Sequence, residues 1–299
     1  MALVAGATRG AGRAFAVELA RAGAHVYATG RSSRTAGRSE IGRPETIEET
    51  GDLIAAAGGA GTALVVDHES PDEVARLVDR IRSEHGRLDV LVNDVFGGDR
   101  YAQFGKPLWE HDLAGGLRML RMGVDTHLVT AHFGLPLMLE SGGGLLVEVT
   151  DGTAEFNAAY RDGVGFFYDL VKANVGRIVL SLTHELRDHP VTVVGLTPGW
   201  LRSEMMLDLF GVTEETWRDA LTKEPGFAIS ETPTYVARGL ARLAADPDVG
   251  RFSGRTLTSR QLSDEYGVTD VDGSRPDCWG YIEAYGIDEQ SGRDVESFR

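Results

Sequence analysis

The sequence has a single cysteine, Cys278, and only three lysines among its 30 basic residues. One cysteine excludes an internal disulfide and is typical of a reducing compartment, so we expect a cytoplasmic protein. No apolar run reaches the roughly 18 residues of a membrane-spanning helix. The formal charge of −15 argues against nucleic acid or an anionic membrane as the main partner. The eight histidines show no HExxH or Cys/His ligand spacing, so no metal site is predicted.

The chain is rich in short apolar runs that alternate with amphipathic stretches. The runs are nearly continuous in apolar residues, as in strands buried on both faces, and they read ALVAG, ALVV, DVLV, LLVEV and VTVVGL. This alternation predicts a three-layer α/β domain with a doubly wound parallel sheet over residues 1–262. Residues 263–299 are polar and glycine-rich and are predicted to form an appended tail, while 32–43 is predicted to be a loop.

Helix signals divide the rest of the chain. Ser70 is a candidate N-cap followed by Pro71 at the first helical position. The other long helices are predicted over 44–57, 113–139, 164–187, 203–221 and 232–245.

The first predicted strand runs into a glycine loop, Gly6-Ala7-Thr8-Arg9-Gly10-Ala11-Gly12, and then into a helix. Glycines allow a tight turn and a close approach of the backbone to a pyrophosphate, and the helix N-terminus supplies free N–H groups. Strand, loop and helix in this order predict a dinucleotide site.

The end of the second predicted strand lacks the acidic residue that would hold the ribose hydroxyl of NAD. Arg31 stands there instead, and Arg9 lies in the glycine loop near the same end. Because guanidinium groups match phosphate geometry, the pair favours NADPH, although NAD stays possible and both arginines could be solvated surface residues.

Tyr168 and Lys172 are four residues apart in a helical pattern and therefore share one face. A neighbouring ammonium stabilises a phenolate and lowers the pKa of the phenol. Such a tyrosine can exchange a proton with a substrate oxygen while a nicotinamide exchanges hydride. An amphipathic helix with a surface lysine would show the same spacing.

Four motifs in order resemble the short-chain dehydrogenase/reductase family over about residues 2–258: the GxxxGxG loop, YxxxK, Glu185-Leu186 and Pro198-Gly199. The resemblance implies a single-domain Rossmann-like fold and a homodimer or homotetramer acting on a small molecule. It also implies that Asp67 contacts adenine, that Asn93 supports the nicotinamide half, and that Ser203 touches the nicotinamide amide.

The family's catalytic serine is missing. At the end of the fifth predicted strand the chain reads Thr150-Asp151-Gly152-Thr153, and the segment up to Tyr168 is longer than usual. Thr150 is our first choice for orienting the substrate oxygen, with Thr153 and Asp151 as alternatives. Asp94 also replaces an asparagine of the family's NNAG motif, as a structural group or as one that adjusts substrate polarity.

Large apolar residues follow Pro198-Gly199, where the family closes over its substrate. The predicted substrate contacts are Asp151, Phe167, Trp200, Met205 and Met206, although such a stripe is equally typical of a plain core. In the tail, Trp279 and Tyr281 are expected to dock on the core or on another subunit.

We therefore expect an NAD(P)-dependent oxidoreductase that interconverts a carbonyl and an alcohol. Two alternatives stay open. The altered motifs suit a non-catalytic dinucleotide sensor on the same fold, and a lyase or isomerase could use Tyr168 without net redox.

Overall fold

The structure is a computed structural model that describes residues 1–286 and 294–299. Its centre is a parallel sheet of seven strands in the order β3-β2-β1-β4-β5-β6-β7. The strands are β1 (Ala2–Ala5), β2 (His25–Gly30), β3 (Ala60–Val65), β4 (Val90–Asn93), β5 (Gly144–Val149), β6 (Val191–Thr197) and β7 (Thr256–Thr258). The predicted doubly wound α/β fold is confirmed.

The main helices are α1 (Gly10–Arg21), α2 (Ile47–Ala56), α3 (Pro71–His85), α4 (Leu113–Leu120), α5 (Thr126–Glu140), α6 (Ala154–Asn157), α7 (Phe166–Glu185), α8 (Glu204–Phe210), α9 (Pro233–Ala244), α10 (Ser259–Tyr266) and α11 (Cys278–Tyr285). No helix in the described ranges is long and apolar enough to cross a membrane.

Two cores lie on opposite faces of the sheet because successive strand residues point to opposite sides. In β1, Ala2 and Val4 pack with α1, α2 and α9 on one face. Leu3, between them, packs with α3, α5 and α7 on the other. Helices therefore cover both faces of the sheet. A site can form only at the ends of the strands.

Capping residues set the helix starts. Ser70 accepts a hydrogen bond from the Glu73 N–H and caps α3, as predicted. In α2 the predicted start at Pro44 is wrong, because Thr46 forms a capping box with Glu49 and the helix begins at Ile47.

The predicted helix over 203–221 is also wrong. Helix α8 ends at Gly211, which adopts a left-handed conformation with φ of +70°, and a separate 3₁₀ turn covers Trp217–Thr222. The predicted helix over 113–139 is divided by a π-helical segment, Arg121–Asp125, beside the site described below.

The predicted tail contains ordered helices. Helix α10 begins at Ser259, before the predicted boundary, and lies against α9 where Gly239 leaves room for Leu262. Helix α11 lies near the carboxyl ends of the strands, where the site described below is located. Residues 287–293 of the predicted tail lie outside the described residues.

Candidate active site

The carboxyl ends of the central strands meet at one edge of the sheet. Ala5 lies opposite Asn93, Asn93 opposite Glu148, and Val149 opposite Leu196. After β3 the chain crosses to β4 on the other side of β1, and ligands bind at such a switch in strand order. A cleft of about 910 Å³ opens at this edge.

The glycine loop forms one end of the cleft. Gly6 has φ of +90°, and a Cβ there would clash with the carbonyl of Asp94. A Cβ on Gly12 would clash with the carbonyl of Gly6. These glycines let the loop pack against the end of β4. Gly10 faces the cleft, and the nearest heavy atom to a Cβ there would be Ser203 Cβ, 3.9 Å away. Space for a Cβ thus remains at Gly10, although its N–H already donates to Glu204 Oε2.

Arg31 lies at the cleft, but it is not free. Its guanidinium donates to Glu69 Oε1 over 2.9 Å and to Glu40 Oε1 over 3.3 Å. Arg118 pairs with the same two carboxylates. Glu40 belongs to the predicted loop 32–43, which thus packs against the site. Asp67 also lines the cleft, 4.0 Å from Arg31.

Arg9 also faces a carboxylate. Its Nε donates to Glu45 Oε2 over 3.1 Å. Its NH2 group is buried and has no hydrogen-bond partner among the described residues. One charged donor thus remains unused at the glycine loop.

Tyr168 and Lys172 lie on the side of α7 that faces the cleft. The Lys172 ammonium is 5.5 Å from the centroid of the Tyr168 ring and 3.8 Å from that of Phe96. Phe96, which follows β4, also packs edge-on against the tyrosine. The structure therefore brings together the two residues predicted to be catalytic.

Asp151 is the residue beside the Tyr168 hydroxyl, which donates to its Oδ2 over 3.1 Å. Thr150, our first choice, lines the cleft, but its hydroxyl donates to the backbone carbonyl of Lys172 over 2.8 Å. Thr153 caps α6 through the Phe156 N–H. Of the three candidates for the serine position, only the carboxylate contacts the phenol.

The surroundings of Tyr168 raise the pKa of its phenol, whereas the sequence predicted that this pKa is lowered. Burial raises the pKa of Tyr168 well above its usual value, and the charges of Asp151 and Asp99 raise it further. Burial lowers the pKa of Lys172. The expected lowering of the tyrosine pKa is wrong for this structure, because the phenol lies in a buried site beside a carboxylate.

A buried network lies under the cleft. Asn93 donates to Glu148 Oε1 over 2.8 Å, and His127 Nδ1 is 2.5 Å from Glu148 Oε2. Burial lowers the pKa of His127, but Glu148 outweighs this and the net shift is upward. Asn93 is fully buried and does not line the cleft, so any support it gives the nicotinamide is indirect.

Asp94 packs against Gly12, whose N–H donates to it. Burial raises the pKa of Asp94 to about 7, even though Lys172 and His127 act in the opposite direction. The carboxyl group is thus poised between its neutral and charged forms near neutral pH.

Part of the cleft is apolar. Trp200, Met205 and Met206, which were predicted to contact the substrate, line it together with Pro198, Gly199 and Ser203. Phe167 is a correction: it does not line the cleft but is buried with Met119 and Val171 behind Tyr168.

Helix α11 supplies a wall of the cleft that sequence reasoning did not assign. Trp279 donates from Nε1 to the carbonyl of Pro198 over 2.8 Å, and its ring contacts Phe156. Ile282 lines the cleft one turn later. The docking expected for the tail thus takes place on the core, while Tyr281 is buried next to Ile229.

Arg161 is a further residue that the sequence did not single out. It lies in the long segment before α7, lines the cleft and bridges two carboxylates beside Tyr168. The unusual length of that segment was the available signal, but the length alone does not say which side chain turns inward.

Comparison with known proteins identifies the family of this chain. The short chain dehydrogenase family model matches residues 1–211. Dehydrogenase/reductase SDR family member 1 of Mus musculus is 34% identical over 279 residues, which cover 91% of this chain and 83% of that protein. The 7alpha-hydroxysteroid dehydrogenase of Clostridium sardiniense is 30% identical over 254 residues, which cover 85% and 89%.

Solved structures show the same fold. A 7 alpha-hydroxysteroid dehydrogenase complexed with NADH and 7-oxo glycochenodeoxycholic acid superposes with a TM-score of 0.68 at 23% identity, covering 92% of this chain and 94% of that one. A hydroxysteroid dehydrogenase from Escherichia coli gives 0.66 at 22% identity, covering 86% and 93%. The chain therefore belongs to the short-chain dehydrogenase/reductase family of NAD(P)-dependent oxidoreductases.

Proposed function

We propose that the protein is an NADPH-preferring reductase that turns a carbonyl compound into an alcohol, with Tyr168 as the proton donor. The observation that carries this proposal is the position of Tyr168 and Lys172 in the same cleft as the glycine loop. A hydride donor bound along that loop and a proton donor would then meet at one substrate carbonyl.

The residues present fit a dinucleotide. The glycine loop stands at the N-terminus of α1, where a pyrophosphate would replace Glu204 as the acceptor of the Gly10 N–H, and the unpaired NH2 group of Arg9 supplies a charged donor there. Gly6, Thr8, Ala11 and Gly12 complete the loop. Asp67 and Ser203, which both line the cleft, stay our proposed contacts for adenine and for the nicotinamide amide.

The proposal favours NADPH over NADH because two cations, Arg31 and Arg9, line the same cleft as the glycine loop and could bind a ribose phosphate. Glu69 and Glu40 now accept hydrogen bonds from Arg31, so a phosphate must compete with them. NADH lacks this phosphate, so its binding would leave those ion pairs intact. NADH is therefore the alternative cofactor.

The chemistry follows from the protonation state of Tyr168. Bound NADPH supplies a hydride to the carbonyl carbon. The phenol stays protonated at neutral pH, so it can donate its proton to the carbonyl oxygen as that oxygen gains charge, and an alcohol results. The ammonium of Lys172 stabilises the phenolate left behind, while Thr150 holds the backbone of the lysine through its carbonyl.

Asp151 changes this site relative to one with a serine. A serine hydroxyl donates a hydrogen bond to a substrate oxygen, whereas an ionised carboxylate only accepts. The phenol must therefore turn from Asp151 to the substrate oxygen before it can donate, and a substrate that carries its own donor next to the carbonyl can take over the contact with Asp151.

The apolar part of the cleft favours a large apolar carbonyl compound as the substrate. Trp200, Met205, Met206 and Trp279 offer aromatic and thioether surface with few charges. The name of one relative, a hydroxysteroid dehydrogenase, is consistent with a substrate of this kind.

We also propose a homodimer or homotetramer in the cytoplasm. Leu113, Leu117, Leu128 and Leu180 are exposed on α4, α5 and α7, and exposed apolar side chains on neighbouring helices suit an interface between copies. Light scattering of the purified protein measures the assembly.

Two other functions stay open. Asp151 in place of a serine favours a dinucleotide sensor without turnover, whereas a lyase or isomerase would use Tyr168 with no net consumption of cofactor. Stoichiometric oxidation of NADPH separates reduction from both.

The test is oxidation of NADPH and of NADH by the full chain, against a panel of ketones, aldehydes and quinones. We expect turnover with NADPH, a loss of about 10²-fold or more in Tyr168→Phe, and unchanged rates in Tyr160→Phe, whose side chain is exposed. Tight NADPH binding with no reduction of any carbonyl would contradict the proposal and favour the sensor.

A further inference from the structure

Arg161 is held between two carboxylates directly beside Tyr168. Its NH1 group lies 3.2 Å from Asp151 Oδ2 and 3.3 Å from the backbone oxygen of Asp151. Its Nε lies 3.4 Å from Asp169 Oδ1, and its backbone N–H donates to the same atom over 3.1 Å. Asp169 follows Tyr168 in α7, so it fixes the arginine to the helix that carries the phenol.

The side chains of Arg161 and Asp151 differ in their exposure to solvent. The Arg161 side chain is 5% exposed, whereas that of Asp151 is 41% exposed and faces the cleft. The NH2 group of Arg161 is buried and has no partner within residues 1–286 and 294–299. A buried charged donor without a partner is costly, so stability alone does not account for this arrangement.

The position of the guanidinium matters because Asp151 already contacts the phenol. The charged groups that face Tyr168 are Asp151, Asp99, Arg161 and Lys172. The two carboxylates oppose formation of a phenolate, and the two cations favour it. The Arg161 guanidinium carbon lies 5.5 Å from the centroid of the Tyr168 ring, the same distance as the Lys172 ammonium. Arg161 is thus a second cation at the proton donor.

We propose that Arg161 is a positioning residue for proton transfer: it pairs with the Asp151 carboxylate beside the Tyr168 hydroxyl and offsets the negative charge which that carboxylate brings to the site. The pair Asp151–Arg161 then replaces the single neutral hydroxyl of a serine. This inference rests on the proposed function of Tyr168, and it explains how a carboxylate is tolerated next to a proton donor.

The test titrates the residue at position 168 directly. A fluorinated tyrosine of lower intrinsic pKa is incorporated there, and its phenolate absorbance is followed against pH in the otherwise unchanged full chain. In Arg161→Met we expect its pKa to rise by about one to two units, the range that Coulomb's law gives for a unit charge at this distance from a site between protein and water.

Further variants separate charge from shape. Arg161→Lys keeps the charge and is expected to restore at least half of the shift. Asp151→Asn combined with Arg161→Met removes both charges, and the pKa is expected to return to the unsubstituted value or below it. Arg177→Met, which removes an exposed arginine from α7, the helix that carries Tyr168, is the matched control and leaves the titration unchanged.

Kinetics give a second readout. If carbonyl reduction occurs, Arg161→Met lowers kcat by about threefold to tenfold, as a weaker acid transfers its proton more slowly, with little change in the Kd of NADPH. A folded Arg161→Met protein with an unshifted titration would overturn the inference. If the unsubstituted enzyme reduces nothing, the proposed function fails, but the titration still decides the role of Arg161 because it needs no turnover.

Discussion

The Glu204 carboxylate accepts the N–H of Gly10 over 2.9 Å, so a side chain from α8 closes the N-terminus of α1. The same carboxylate pairs with Arg13 over 3.2 Å. A helix N-terminus with a glycine loop is where a pyrophosphate binds, so Glu204 and the cofactor need the same donor. Glu204 lies only five residues after Gly199, on the segment that carries Met205 and Met206 to the cleft.

We expect Glu204→Gln to bind the dinucleotide about fivefold more tightly. The substitution removes one negative charge next to the pyrophosphate, and such a charge at an exposed site is worth about 1 kcal/mol. Quenching of tryptophan fluorescence by NADPH measures the change. Asp219→Asn, which removes an exposed charge from the following 3₁₀ turn, is the control. Weaker binding in Glu204→Gln would mean that Glu204 supports the cofactor site.

Asp151→Asn tests the pH dependence of reduction. Asp151 raises the pKa of Tyr168, so its neutralisation lowers that pKa, with Arg161 still in place. Because reduction needs the protonated phenol, activity is expected to be lost at a pH about one unit lower than in the unsubstituted enzyme. The pH profile of kcat/KM for carbonyl reduction measures this. An identical alkaline limb in both proteins would show that Asp151 does not act on Tyr168.

Trp279→Ala is expected to impair the use of large substrates only. Removal of the indole opens the wall that packs on Phe156 and Pro198. We expect the KM of a bulky apolar ketone to rise about tenfold, the equivalent of about 1.4 kcal/mol of lost apolar contact. The KM of a small aldehyde and the Kd of NADPH should change less than twofold. Trp279→Phe, which keeps a ring, is the matched control, and equal effects on both substrates would contradict a specificity role.

We expect the ionisation of Glu231 to make the stability of the folded protein depend on pH. It is buried, and Ser259 donates to its Oε1 over 2.5 Å. Burial raises the pKa of Glu231 from 4.5 to about 8. A carboxyl group with a raised folded pKa favours the folded state fully below its unfolded pKa, and this advantage is lost as the pH rises from 4.5 towards 8.

Glu231→Gln should therefore change little at about pH 5 but raise the Tm at about pH 8.5, where the unsubstituted protein must hold a buried charge. The gain grows by about 1.4 kcal/mol for each unit by which the folded pKa exceeds the unfolded one. Calorimetry at the two pH values measures it. A gain that is equal at both would show that packing, and not ionisation, is responsible.

The strands and the glycine loop were predictable because their signals are local. Short continuous apolar runs rich in β-branched residues, such as VTVVGL, are typical of strands in a sheet covered on both faces. The same holds for Tyr168 and Lys172, since a spacing of four in one helix places them together without any knowledge of the rest of the chain.

The partners of those residues were not predictable, because they come from distant parts of the chain. Nothing in the sequence pairs Glu40 with Arg31 and Arg118, or Glu204 with Gly10. Phe167 is a residue for which the local pattern gave the wrong prediction. Its place next to Tyr168 suggested the pocket, but neighbouring helix residues point in different directions, and Phe167 turns to the core beside Gly116.

The order of the elements has a consequence for the protein as it is being made. The sheet, with its glycine loop and the Tyr168 helix, is complete once β7 has been synthesised, whereas the Trp279 wall comes with α11, some twenty residues later in the chain. Until that helix docks, Trp200 lacks the cover of Cys278 and Tyr281. The wall of the cleft that α11 provides is thus added late in synthesis, and apolar lining left uncovered until then is exposed to chaperones or to aggregation.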